Sequence, residues 1–417
     1  VMPSAASDRI GLALAGGGPE GAIYEIGALR ALEEAIEGLD LNDLDIYVGV
    51  SAGACVAANL ANRISIGEMC RALSGVARGR QEQREHPFLP ETFLQPAVGE
   101  FFRRGTRVPG LLLDALREWA RSPAQRPLAD SLLRLAAALP VAVLDGQPVR
   151  QYLRQLYAAP GRTDDFRQLA HRLVVVAAEL ETGEAACFGD PGLDAVPISL
   201  AVQASTALPG LYPPVEIDGR HYVDGVLLKT LHASVALDDG ARLVLCVNPI
   251  VPVDLENGNG GKRGRLVDQG LGAVLSQTFR TLIHSRLRVG LAAYAERYPA
   301  ADVMLFEPRR DDYRMFFTNI FTFSSRKAVC EHAYQATRRD LRARADALEP
   351  VLARHGLRLR REVLVDEERT IWQSLPAHRN GRHGHETLDR LEASLDRLEG
   401  LLPTVAAASE DAPSSPG

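Results

Sequence analysis

A serine set between two glycines, Gly49-Val50-Ser51-Ala52-Gly53, follows the short apolar run Ile46-Tyr47-Val48 and leads into an alanine-rich segment that reaches Asn62. That order spells strand, sharp turn and helix, a setting that holds a hydroxyl in a strained bend at a sheet edge, at the positive end of a helix dipole. Ser51 is therefore the candidate nucleophile. Gly49 and Gly53 are the elbow positions, where a side chain would obstruct the approach of strand and helix. A second cluster, Gly16-Gly17-Gly18, stands directly after the apolar run Arg9 to Ala15. Consecutive amides free of side chains can point at the negative oxygen of a tetrahedral intermediate, so Gly16, Gly17 and Gly18 are the candidate oxyanion hole. The chemistry these types describe is acyl transfer through a serine ester.

Two alternatives were weighed on the residues themselves. Gly16, Gly18 and Gly21 also satisfy G-x-G-x-x-G, the dinucleotide fingerprint, but that fold needs an acidic residue at the end of the second strand. Here Asp45 precedes that strand and the serine elbow ends it, so no cofactor is expected. His86, His171, His221, His232 and His284 are all available as a base for Ser51. In α/β-hydrolases, however, the elbow follows several strands of sheet, whereas here it follows only the second.

The elements that must position these groups can be read in order. After the first strand, a helix is expected from Pro19 to Ile36, with Ile23, Ile26, Leu29 and Leu32 inward and Arg30, Glu33, Glu34 and Glu37 toward water. Leu44 to Val50 is then a parallel second strand, because a helical crossover joins the two. Further strands are expected at Arg172–Ala178 and Arg242–Val247, a turn at Glu181–Glu184, and helices at Gly146–Tyr157, Pro197–Ser205 and Leu271–Tyr298. Val215–Ile217 and Arg220–Val223 form a hairpin about Asp218-Gly219, and its second strand runs into Asp224-Gly225. A charged helix is expected from Arg326 to about His355.

The expected fold is α/β: three layers, α/β/α, about a mostly parallel central sheet. A catalytic domain at 8–325 would carry an inserted helical cap at about 78–145, followed by a helical C-terminal extension at 326–402 and a disordered tail at 403–417. The insert is broken by prolines and is locally basic, with Arg103, Arg104, Arg107, Arg117, Arg121 and Arg126 beside Phe101, Phe102 and Trp119. It reads either as a cap that touches a lipid surface or as a helical subdomain with a solvated basic face. In the extension, Leu388, Leu391, Leu395, Leu398 and Leu402 make one apolar stripe, which could pair two copies as a homodimer or pack back on its own core.

With 417 residues and a formal net charge of -6, the chain has no electrostatic footprint for nucleic acid. Cys55, Cys70, Cys187, Cys246 and Cys330 lie mostly in apolar runs and read as reduced core residues. No CxxC pair is present, and the His378, His383 and His385 cluster reads as a polar linker, so no metal is expected. With no signal-like or spanning stretch, the expected location is cytoplasmic and any membrane contact peripheral.

The arrangement resembles the patatin-like phospholipase family, which is related to the cytosolic phospholipase A2 catalytic domain. Gly16-Gly17-Gly18-Pro19-Glu20-Gly21 resembles its glycine-rich oxyanion motif, Gly49-Val50-Ser51-Ala52-Gly53 its elbow, and Asp224-Gly225 its catalytic Asp-Gly. The segment from Ala204 to Pro214, then Tyr222-Val223, also looks like the family's approach to that aspartate, and the likeness covers about Arg9 to Pro249. It implies a Ser51–Asp224 dyad without histidine, an acyl-enzyme intermediate, and a lipid ester as substrate. Asp218, also before a glycine, is better explained by the hairpin turn.

Two positions depart from the family pattern. Glu20 stands where the family usually has Arg, and Val226 where it has a further glycine. A carboxylate beside the site would repel phosphate, so neutral esters such as acylglycerols, or phospholipids whose headgroup points away from Glu20, are the expected substrates. The same feature supports the alternative of a lipid- or nucleotide-responsive binding protein that kept the fold without the chemistry.

Overall fold

Short runs rich in Val, Ile and Leu, covered on both faces, form the inner strands of a parallel sheet. The computed structural model describes residues 9–73, 94–97, 142–254, 266–312 and 323–375. Its first part runs β1 (Ile10–Leu14), α1 (Gly18–Ala35), β2 (Ile36–Glu37), β3 (Ile46–Val50), α2 (Ala52–Ala61) and α3 (Ile66–Leu73). Then come α4 (Gln147–Tyr157), β4 (Arg172–Glu179), β5 (Ala185–Phe188), α5 (Ile198–Ser205), β6 (Val215–Ile217), β7 (Arg220–Asp224), α6 (Ala233–Asp238) and β8 (Leu243–Val247). Last are α7 (Leu271–Arg297), β9 (Asp302–Phe306), α8 (Phe323–Ala343), α9 (Ala345–Arg354) and β10 (Arg358–Leu359).

The main sheet has eight strands in the order β6-β7-β4-β3-β1-β8-β9, with β5 paired to β4. Strands β4, β3, β1, β8 and β9 are parallel neighbours, whereas β5, β6 and β7 pair antiparallel. On one face Ala13, Val48, Val174 and Val244 pack with Ala233, Ala236 and Leu237 of α6 and Ile283 and Leu287 of α7. Their strand alternates Leu12, Leu14, Tyr47 and Val175 are buried on the other face. There α2 lies against β3 and β4, and α1 lies beside α2 and α8. This is the expected α/β class, a mostly parallel sheet between helical layers.

Several local expectations change. Glu34 does not face water: it is buried, accepting a hydrogen bond from the Tyr334 hydroxyl and one of 2.6 Å from Arg369 Nε. The cause is α8, which packs along α1 and covers the side that the sequence pattern assigns to solvent. The expected charged helix is two helices, α8 and α9, parted at Arg344. The Arg344 guanidinium reaches the Leu305 carbonyl at 3.1 Å and lies over the Phe306 ring, so the chain turns where it meets β9. Strand β9 itself and the small antiparallel pair β2 and β10 were not expected.

The described residues as far as Ser374 belong to one compact unit. The buried Arg338 fixes its end, donating to the carbonyls of Val363, Asp366 and Arg369 at 2.5, 2.6 and 2.9 Å. All five cysteines are free thiols. Among the described residues no helix is long and apolar enough to cross a membrane. Most of the expected cap, the leucine stripe, the His378, His383 and His385 cluster and the tail lie outside the described residues.

Candidate active site

Ser51 caps α2 with φ 54° and ψ -126°, a left-handed backbone that costs a non-glycine residue energy. The bend is held from several sides. Its amide donates to Ser205 Oγ at 2.8 Å, and that hydroxyl in turn donates to the Val176 carbonyl of β4 at 2.6 Å. The Gly53 amide donates to the Ala15 carbonyl at 3.2 Å, and a Cβ at Gly53 would fall on that carbonyl oxygen. A Cβ at Gly49 would stand 2.5 Å from Ala54 Cα. Helix and strands therefore meet closer than any side chain allows.

Asp224 reaches Ser51 through strand pairing. The β5 partners on β4 are Val175 to Ala178, the β3 partners Arg172 to Val176, and the β7 partners Ala177 to Glu179. The β5 span overlaps each of the other two, so β3 and β7 must share the opposite edge of β4. They run toward each other along it: Val50 ends opposite Val176, and Asp224 ends opposite the next residue, Ala177. Ser51, one step beyond Val50, meets Asp224 there. Ser51 Oγ donates to Asp224 Oδ2 at 2.6 Å, while Asp224 Oδ1 accepts from the Val226 amide at 2.9 Å. Gly225 is required because a Cβ there would strike the Val176 carbonyl.

The glycine loop arrives on the other side of β3. Leu14 pairs with Gly49, so two residues on Gly16 stands opposite Ser51, and a Cβ at Gly16 would lie 3.1 Å from Ser51 Cβ. Gly17 and Gly18, at the start of α1, line a cavity of about 800 Å³ together with Ser51 and Asp224. Its walls are mainly apolar, with Leu208, Leu211, Leu227, Pro249, Leu275 and Phe279 among them, which suits a hydrocarbon-bearing ligand. Val226, the family's glycine position, also lines the cavity and is accommodated because it lies against Gly16, which has no side chain.

Asp224 is 1% exposed, and burial pushes its carboxyl up to about 7 against the opposing pull of its hydrogen bonds from Ser51 and Val226. Glu20, on the cavity wall, is likewise raised to about 7 by burial, with the charge of Arg280 pulling it down. The described histidines are placed elsewhere. His171 pairs with Asp43 at 2.9 Å, His221 with Glu181 at 2.7 Å and His284 with Glu307 at 3.7 Å. Buried His232 is lowered to about 4 by desolvation. Among the described residues none of these is hydrogen-bonded to Ser51, and His86 lies outside them. Asp218 sits in the hairpin turn at φ 50°, before Gly219 at φ 78°. No described cluster of His, Cys, Asp or Glu is arranged to hold a metal ion.

Sequence reasoning missed Ser205 and Arg280. Ser205 lies inside the Ala204-to-Pro214 approach to the aspartate, which is its one available signal, but that stretch assigns it no role. Arg280 lies on α7, beyond the motif-bearing stretch.

A family model described as patatin-like phospholipase matches residues 12–237, more than half of the chain. Among solved structures, VipD from Legionella pneumophila is similar over 81% of this chain and 67% of its own, at 19% identity and a TM-score of 0.37. The type III effector protein ExoU is similar over 81% of this chain and 53% of its own, at 14% identity and a TM-score of 0.32. In another structure ExoU, from the type III secretion system of Pseudomonas aeruginosa, is in complex with SpcU; the likeness there is 17% identity, 69% of this chain, 52% of that one and a TM-score of 0.24. The chain thus spans about two thirds of VipD and about half of ExoU. By the family match over more than half of its length, the chain belongs to the patatin-like phospholipase family.

Proposed function

We propose that the protein is a serine acyl hydrolase that cleaves carboxylic esters of lipids through a Ser51–Asp224 dyad, with no cofactor. The observation that carries this reading is the 2.6 Å hydrogen bond from Ser51 Oγ to Asp224 Oδ2 at the wall of an apolar cavity. Membership of the patatin-like phospholipase family supports a lipid hydrolase activity.

In this mechanism Ser51 Oγ attacks the ester carbonyl carbon as its proton passes to Asp224 Oδ2. The carbonyl oxygen takes up negative charge toward the amides of the Gly16 to Gly18 loop. Collapse of the tetrahedral adduct breaks the bond to the alcohol, which takes the proton back from Asp224. Water, deprotonated by Asp224, then attacks the acyl-enzyme and releases the carboxylic acid and free Ser51. Leu275 and Leu282 of α7 are exposed and line the cavity, which supports a peripheral contact with a lipid surface at its mouth.

Labelling by a fluorophosphonate probe, followed by hydrolysis of an acyl ester panel, tests the reading. Ser51→Ala abolishes labelling, and Ser51→Ala or Asp224→Asn lowers turnover by about a thousandfold or more with the circular dichroism spectrum retained. Hydrolysis undiminished in Ser51→Ala would overturn Ser51 as the nucleophile, and a native protein that neither labels nor hydrolyses would leave a lipid-binding protein.

A further inference from the structure

Among the described residues that line the cavity, three are ionisable acids or bases: Asp224, Glu20 and Arg280. Asp224 is committed to Ser51 and the Val226 amide. The other two have no part in activating the serine. Glu20 lies in the first turn of α1, two residues beyond Gly18, and its Oε1 is buried without a hydrogen-bond partner among the described residues. Arg280 comes from α7 and places its Nε 3.4 Å from Ser276 Oγ, on the same cavity wall. Both line the one cavity, Glu20 from α1 and Arg280 from α7, so two separate elements bring an acid and a base to a largely apolar site.

Such a couple discriminates between headgroups by simple electrostatics. An uncharged glycerol headgroup gains little from either member. A purely anionic one is attracted to Arg280 but meets Glu20 beside it. A headgroup carrying a phosphodiester and an ammonium a few bonds apart matches both signs at once. Glu20 alone, as read from the sequence, argues against a phosphate held beside it; Arg280 answers that objection by supplying a cation from a different element.

We propose that Glu20 and Arg280 together select a zwitterionic glycerophospholipid, Arg280 holding the phosphodiester and Glu20 the ammonium, an inference that rests on the acyl hydrolase reading above.

The test compares kcat/KM for dihexanoyl phosphatidylcholine and dihexanoyl phosphatidylglycerol as soluble monomers, which removes any effect of the charge of a lipid surface. The native protein favours the choline lipid by about tenfold, the scale of one charge-assisted hydrogen bond. In Glu20→Gln the ratio falls toward one. In Arg280→Gln KM rises for both lipids, and the double exchange Glu20→Arg with Arg280→Glu recovers part of the choline preference lost in each single exchange. A ratio near one in the native protein, or a ratio unmoved while both variants lose activity equally on both lipids, would overturn the proposal and assign the pair a structural role. If cleavage of either lipid persists in Ser51→Ala, the acyl hydrolase reading itself fails. If cleavage depends on Ser51 but the ratio ignores both exchanges, only the headgroup proposal fails.

Discussion

On the proposed mechanism Asp224 must be ionised to take a proton from Ser51, yet its burial favours the neutral acid and pushes its carboxyl up to about 7. Two consequences follow at this one residue. In kcat/KM against pH, activity should be low in acid and rise through about pH 7, an ascending limb that reports the free-enzyme carboxyl. The second concerns stability. Because the folded-state value is raised, the folded chain binds more protons than the unfolded chain between about pH 4 and pH 7. Stability from this group is therefore full below about pH 4 and is lost as pH rises through about 7. Asp224→Asn removes the buried charge, and its thermal midpoint should exceed that of the native protein more at pH 8 than at pH 5. A midpoint difference that is the same at both pH values would mean that Asp224 is not held neutral by its surroundings. Residues such as Ser51, Gly49, Gly53 and the Gly16 to Gly18 loop were legible in the sequence because their demands are local: a strained bend and close backbone approach leave glycines at fixed offsets. Arg280 was not legible, since its relation to Glu20 exists only once α7 is laid over the cavity.

At the scale of elements, the elbow is held from β4 by way of α5. Ser205 stands between the Ser51 amide and the Val176 carbonyl, so Ser205→Ala leaves a buried amide without its acceptor, at a cost of about 1 to 3 kcal/mol. The expected kinetic signature is a fall in kcat of about tenfold or more, with KM little changed and fluorophosphonate labelling slowed in proportion. A fall in thermal midpoint without any loss of labelling rate would show that α5 steadies the fold without aiming the serine. The strands and helices that frame the site were readable from turn chemistry and from apolar runs, the Asp218-Gly219 hairpin being the clearest case. What pattern reading misjudged was Glu34. Its burial depends on Tyr334 and Arg369, hundreds of residues away, and helical periodicity carries no information about a second helix covering the polar side.

At the scale of the molecule, α8 completes the layer that α1 begins. Cys330, Ala333 and Tyr334 are fully buried, and the Cys330 carbonyl lies where a side chain on Gly27 would stand. A chain ending before Phe323 exposes that face of α1, and it should lose its cooperative thermal transition. A chain ending after Leu375 keeps the whole compact unit and should retain both the transition and Ser51 labelling. Failure of the longer truncate to fold would show that the compact unit is not self-sufficient.

The meeting of β3 and β7 on one edge of β4 also sets a time order. Ser51 and its partner are 173 residues apart, and the partner arrives on an edge already laid down by earlier strands. During synthesis the serine elbow leaves the ribosome long before Asp224 does. On the proposed mechanism Ser51 lacks its base through that interval, so hydrolysis requires β7 to have docked on β4.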